Sequence, residues 1–286
     1  MTRIAFATCL EMPALQPDDA PIAAAIEASG VEVVAAPWNG PFAPFEQCDL
    51  VAVRSTWDYA QTPDAFLAWL DRLEGVAARV VNRPSLMRWN ARKTYLLDLA
   101  ERGAPLAPTR LVSPAAEQID AAMAELGLDE AVVKPVFGAG ASGLSIVRRD
   151  DPAGLAAAAG RLGCDGLVQP LVPEIRTVGE ASLTFVGDTF SHAAIKRARQ
   201  GSILIHAEHG GTTAPFEPTA DHLQVARDVL RLLPEPADYA RIDLVPTERG
   251  AILMEVELIE PELFVLHGDG APQRFADFLT TLLPTA

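Results

Sequence analysis

The stretch Val132–Val147, VVKPVFGAGASGLSIV, constrains the fold most. A β-type run carries a lysine, Lys134, and leads into a glycine-rich segment. That segment is followed by a second alternating run. The segment spells G-x-G-x-x-G. In a dinucleotide-binding fold those glycines open a helix, whereas Leu144-Ser145-Ile146-Val147-Arg148-Arg149 alternates as a strand does. The stretch is therefore expected to be a hairpin whose tip folds over a ligand. Glycine lets the backbone come close, and free N–H groups suit phosphate oxygens. Lys134 sets a point charge at the base of this flap. On this stretch alone, a surface hairpin with an incidental lysine is an equal reading.

At 286 residues the chain can bury a large core. With 49% hydrophobic and 21% charged residues it is globular in composition. A formal charge of −15 argues against nucleic acid as the main partner, though not against a small anionic ligand held by a local basic cluster. Cys9, Cys48 and Cys164 are widely spaced and form no C-x-x-C, so neither a disulfide framework nor a cysteine zinc site is expected. No apolar run approaches a membrane span and no signal-peptide layout opens the chain. A cytoplasmic protein is expected.

Strands alternate with helices at the start: Arg3–Cys9, a helix 20–29 capped by Asp18 or Asp19, strands near 31–36 and 48–53, a helix opened by Thr62-Pro63, and a strand near 79–82. This grammar predicts a small parallel α/β domain over 1–88. Ligands of such sheets collect at the carboxyl ends of strands, where Arg54-Ser55-Thr56-Trp57-Asp58-Tyr59 sits. From Asn90, expected to cap a helix 91–102, the pattern changes. A domain 89–170 contains the flap and ends at the strand Gly166–Gln169. A third domain, 171–286, is rich in antiparallel strands, including one over 203–206.

Arg241, Asp243, Glu255 and Glu257 are the most informative group. Side chains at i and i+2 share a strand face, and the turn near Arg249 sets Asp243 opposite Glu255 and Arg241 opposite Glu257. Three carboxylates on one patch repel unless a hard divalent cation relieves them, and oxygen ligands with room for phosphates suit Mg²⁺. The bland reading is a solvated hairpin face on which Arg241 pairs one glutamate. Lys93, Lys134, Lys196, Arg197 and Arg199 add basic groups on either side of the flap; together with it and the carboxylates they describe a Mg-nucleotide site.

The ordered set WNARKTYL, VVKPVFGAGASG, VQPLVPEI, IKRA, YARIDLV and MEVELIEP resembles the ATP-grasp superfamily of carboxylate–amine ligases. With RSTWDY it looks most like the branch containing D-cycloserine synthetase and glutathione-synthetase-like ligases. The resemblance implies an ATP-grasp fold of α/β (α+β) class, behind a small parallel α/β domain, with ATP between the second and third domains. It implies that Lys93 and Lys134 contact the phosphates under a flap of Gly138, Gly140, Ser142 and Gly143. Gln169 to Leu171 would form the adenine hinge. Glu174 or Glu180 would hold the ribose, with Glu174 preferred on spacing. Lys196 would reach the terminal phosphate, and Arg241 would stabilise an acyl phosphate. Asp243, Glu255 and Glu257 would carry Mg²⁺, or Mn²⁺ in its place. The implied reaction is ADP-forming ligation of a carboxylate to an amine, between molecules or within one amino-acid derivative. Homodimers are common in such families. Substrate contacts are assigned to Arg54, Ser55, Asp58, Tyr59 and Glu11, and on the far side to His206, His209, Gly210 and Gly211; Trp57 is equally a core residue.

The rivals fail on order and spacing. In a kinase the lysine follows the glycine loop, whereas here it precedes it, and neither H-R-D nor D-F-G occurs. A P-loop needs G-K-[ST], which is absent. A nucleotide-binding regulatory module without turnover is the remaining alternative, and the retained carboxylates argue against it.

Overall fold

Short β-branched runs with helices between them form a parallel sheet because a parallel crossover needs a dozen or more residues. β1 (Arg3–Thr8), β2 (Glu32–Pro37), β3 (Leu50–Val53) and β4 (Arg79–Val81) lie in the order β2-β1-β3-β4, all parallel. The computed structural model describes residues 1–138, 140, 142–199, 205 and 210–284. Every residue of β3 is buried, as expected for a strand covered on both faces. Helix Pro63–Leu73 covers one face with Phe66, Trp69, Leu70 and Leu73, spaced for a single helical side. Helix Ala20–Ala28 packs against the last helix, Ala271–Thr281, so Ile22, Ile26, Phe275 and Leu279 share a core with Ile4 and Phe6. The end of the chain thus returns to its first sheet.

The second sheet is antiparallel, in the order β5-β8-β6-β7: β5 (Arg110–Val112), β6 (Glu130–Pro135), β7 (Ser145–Arg148) and β8 (Gly166–Gln169). Helices Ala116–Leu126 and Pro152–Leu162 back it through Ile119, Met123, Leu155 and Leu162. The flap is the β6–β7 connection. The third sheet runs β11-β10-β9-β12-β13: β9 (Glu180–Val186), β10 (Thr189–Arg197), β11 (Thr212–Pro215), β12 (Tyr239–Thr247) and β13 (Gly250–Glu257). The expected strand over 203–206 lies outside the described residues apart from Ile205. Among the described residues no helix is long and apolar enough to cross a membrane.

Three expected caps take other work. Asn90 ends a helix, Pro84–Asn90, rather than opening one; its amide donates to the Val256 carbonyl and accepts from the Leu258 N–H. The expected helix 91–102 shrinks to Tyr95–Glu101, because the Lys93 N–H bonds the Val136 carbonyl and holds the preceding segment out of helical register. Asp18 and Asp19 make no cap bond to helix Ala20–Ala28; Asp18 accepts from the N–H groups of Leu263 and Val265, and Asp19 holds Arg54 and Ser55. Thr62 stands at its cap position without a side-chain bond.

Candidate functional site

The second and third sheets and the loops of the first frame a cavity of about 670 Å³. From the second sheet come Lys134 on β6, Gly138, Gly140 and Ser142 of the flap, and Gln169 with Leu171 at the end of β8. From the third come Glu180, Lys196, Arg241, Asp243, Glu255 and Glu257. Lys93 enters from the segment before helix Tyr95–Glu101. The sequence-assigned nucleotide and carboxylate residues therefore meet around one space, with two exceptions. Gly143, at φ 75°, supports the flap from below, where a Cβ would press 3.0 Å from the Pro135 ring. Glu174, expected at the ribose, does not line the cavity. It begins the short helix Glu174–Thr177, while Glu180 on the adjoining strand occupies the cavity wall.

Register explains the charge pattern of the third sheet. Asp243 pairs with Glu255 and Arg241 with Glu257 across β12–β13, as the sequence spacing predicts. Lys196 faces Glu180 across β9–β10. Gly179 permits this approach: at φ 98° its hydrogen lies against the Lys196 carbonyl, a place no Cβ fits. The result is an alternating row of buried charges. Glu180 lies 2.7 Å from the Lys196 ammonium, which lies 3.0 Å from Asp243. Arg241 grips both oxygens of Asp243, at 2.9 and 2.8 Å, and reaches Glu257 at 2.5 Å. Lys93 bonds Glu255.

Burial opposes the ionised form of Asp243, yet Arg241 and then Lys196 hold its carboxyl well below the usual range. Burial pushes Glu180 up, against the pull of Lys196. Lys134 makes no ion pair among the described residues; burial, then Lys93, lowers its ammonium to about 7. Gln169 lines the cavity, is 3% exposed, and its buried Oε1 has no hydrogen-bond partner among the described residues.

The three expected metal carboxylates do not converge as a ligand set here; the described residues contain no cluster of three metal-binding side chains. Both Asp243 oxygens are engaged by cations, so it joins a metal only by exchanging one of them. Among the described residues Glu255 and Glu257 each make a single cation contact, through Oε1, and both line the cavity half-buried. Two carboxylates that leave places for phosphate and water are the donor set Mg²⁺ takes, so these two fit the ion.

The substrate-side assignments divide. Glu11, Trp57, Asp58 and Tyr59 line the cavity. Asp58 is fixed by the Trp38 indole N–H at 2.6 Å and the Asn39 amide at 2.8 Å. Arg54 and Ser55 do not reach it. Arg54 is 1% exposed, bonded to Asp19 at 2.7 Å and to the Pro261 carbonyl at 2.9 Å, and the Ser55 hydroxyl donates to the same aspartate. Their work is to tie the first sheet to the loop after β13. Gly210 lies beside Arg199 and is not part of the cavity wall. His206 and His209 lie outside the described residues.

Two contributors escaped the sequence reading. The Tyr95 hydroxyl accepts a hydrogen bond from the Val256 N–H at 2.9 Å and so fixes β13. Glu260, 7% exposed, lines the cavity just beyond the carboxylate strand; burial, then Glu257, pushes it up to about 8. The run of glutamates in EVELIEPEL was the available signal.

A family model described as the N-terminal domain of D-cycloserine synthetase DcsG matches residues 4–82. The cycloserine biosynthesis protein DcsG of Streptomyces lavendulae is 29% identical over 283 residues, covering 93% of this chain and 94% of that protein. The crystal structure of D-cycloserine synthetase DcsG superposes with a TM-score of 0.86 at 26% identity, covering 98% of this chain and 99% of that one. An ATP-grasp RimK domain protein from Sphaerobacter thermophilus shares the fold, with a TM-score of 0.70 at 19% identity, over 98% and 100% of the two chains.

Proposed function

We propose, on the premise that this chain belongs to the ATP-grasp superfamily of carboxylate–amine ligases, that it activates an amino-acid-like carboxylate with ATP and passes the acyl group to an amine. The observation that carries this reading is the single cavity shared by Lys134, the flap, Gln169, Lys196 and the β12–β13 carboxylates.

Each group has a place in that reaction. Gln169 Oε1 would accept a hydrogen bond from the adenine amino group, and Glu180 is better placed than Glu174 for the ribose hydroxyls. Lys93 and Lys134 would face the phosphates and the flap would exclude water. Glu255 and Glu257 would hold Mg²⁺ (or Mn²⁺), which supplies charge neutralisation on the transferring phosphoryl group. The substrate carboxylate oxygen attacks the γ-phosphorus as the bond to ADP breaks. The amine nitrogen then attacks the acyl carbon and expels phosphate. Catalysis of this kind rests on position and preorganised charge, and the buried Glu180–Lys196–Asp243–Arg241 row supplies a fixed field. Arg241 would steady the acyl phosphate.

Ring closure within one amino-acid derivative and joining of two molecules use the same nucleotide site, and the 29%-identical relative is named for cycloserine biosynthesis. The test is Mg²⁺-dependent release of ADP and phosphate with a panel of amino acids, hydroxamates and O-substituted serines, alone and with amines. ADP with phosphate is expected for a subset. AMP as product, or full activity of Glu255→Ala, contradicts the reading.

A further inference from the structure

We infer that Glu260 is the specificity residue for the acid substrate: its carboxylate receives the α-ammonium of an amino acid whose own carboxylate lies at the phosphate end of the cavity. The inference rests on the ligase reading above and deepens it.

The argument begins with an accounting of charge. Most of the buried or half-buried acids in the central charged region have named partners. Glu180 has Lys196; Asp243 has Lys196 and Arg241; Glu255 has Lys93; Glu257 has Arg241. At the substrate side Asp58 has Trp38 and Asn39. Glu260 is 93% buried by its 7% exposure, lines the same cavity, and among the described residues its carboxylate has no ion pair and no hydrogen bond from another residue. An unpaired carboxyl in that setting is costly in its charged form. The cost is relieved when a cation enters from the cavity, so the site is built for a cationic group of the ligand.

Its surroundings select which cation. The backbone carbonyl of Glu260 accepts the Trp57 indole N–H at 3.1 Å, which fixes the residue against the loop of the first sheet. Tyr59 lines the same cavity. Glu260 follows Glu257 by three residues just beyond β13, and Lys93 is a wall residue too. Glu260 therefore joins the strand that carries the metal-assigned carboxylates to the Trp57–Tyr59 wall. An α-amino acid carries its ammonium one carbon from its carboxylate. With that carboxylate beside the γ-phosphate, the ammonium reaches toward the wall side, where Glu260 is.

The test pairs each acid of the panel with its 2-hydroxy counterpart, D-alanine with D-lactate and D-serine with D-glycerate, in the Mg-ATP-dependent ADP-release assay. Wild type should favour the amino acid, and Glu260→Gln should raise the KM for the amino acid about a hundredfold, the scale of one buried charge pair. The KM for Mg-ATP and the KM for the hydroxy acid should not move, and Glu260→Asp should retain part of the preference. The Tm of Glu260→Gln should equal or exceed that of wild type, because the change removes a buried carboxyl that no other described residue pairs. An unaltered amino-over-hydroxy preference in Glu260→Gln overturns the inference and leaves the ligase reading intact. So does a matching rise in the Mg-ATP KM or the Mg²⁺ requirement, which would place Glu260 with the metal, and so does a lowered Tm. Absence of ADP release by wild type with every acid overturns the ligase reading, and this inference with it.

Discussion

The Lys196 ammonium lies 3.0 Å from Asp243 and 2.7 Å from Glu180, with all three side chains nearly excluded from solvent. Such a triad is stable only while complete, because removing the shared cation leaves two buried carboxylates with Arg241 alone. Lys196→Met should therefore lower unfolding free energy by about 3–5 kcal/mol. Adding Glu180→Gln to Lys196→Met should restore part of the loss, since one stranded charge is then gone. Urea unfolding of both variants checks this; equal stability of the single and double variants would show that the two side chains do not share the penalty.

Asn82 makes the corresponding connection between sheets. It is fully buried at φ 55°, its amide donates to the carbonyls of Tyr239 and Leu258, at 2.9 and 2.7 Å, and its Oδ1 accepts from Asp238 N–H at 2.6 Å. Asn82→Ala leaves these groups unpaired and keeps a Cβ in left-handed backbone, which alanine tolerates less well than asparagine, so a loss of about 2 kcal/mol or more is expected. Asn82→Gly removes the backbone strain but not the lost bonds, and should recover about 1 kcal/mol of it. Thermal denaturation of the two variants separates the contributions.

These two residues show where sequence reasoning succeeds and stops. The β12–β13 residues that surround Lys196 are legible because strand alternation and turn length alone fix which residues face each other, and Arg241↔Glu257 and Asp243↔Glu255 follow. The flap is legible because glycine spacing and strand periodicity are local. Asn82, Asn90 and Asp19 are not: Asn82 reads locally as the end of a strand, and Asn90 and Asp19 as helix caps. Their actual partners are separated by 156–176 residues for Asn82, 166 and 168 for Asn90, and 35 and 36 for Asp19. Arg54 misleads for the same reason. A buried arginine at a strand end suits a ligand, and only the tertiary structure reveals that Asp19 and the Pro261 carbonyl have taken it.

Gln169 supplies a test of nucleotide choice. Its buried Oε1 is an acceptor without a partner among the described residues, which suits the amino group of adenine better than the carbonyl of guanine. Gln169→Leu should weaken ATP binding by about tenfold, the value of one buried hydrogen bond, while narrowing the preference for ATP over GTP. Isothermal titration with non-hydrolysable analogues of both nucleotides measures it. An unchanged ratio would move base selection to the backbone of the hinge.

Lys134 makes nucleotide affinity depend on pH. In the free protein its ammonium is lowered to about 7 by burial and by Lys93, and a bound phosphate raises it again. Below about pH 7 the lysine is charged before and after binding, so affinity is level. Above that, binding must take up a proton, and affinity falls as pH rises, by at most about tenfold per unit, until the bound-state value is passed. Dividing wild-type by Lys134→Met affinities at each pH cancels the titration of the nucleotide and of Lys93. The ratio should be largest at pH 6 and shrink toward pH 9. Lys134→Arg, which stays charged throughout, should show no such decline. A ratio independent of pH would mean that Lys134 is already paired in the free protein or never meets the phosphates.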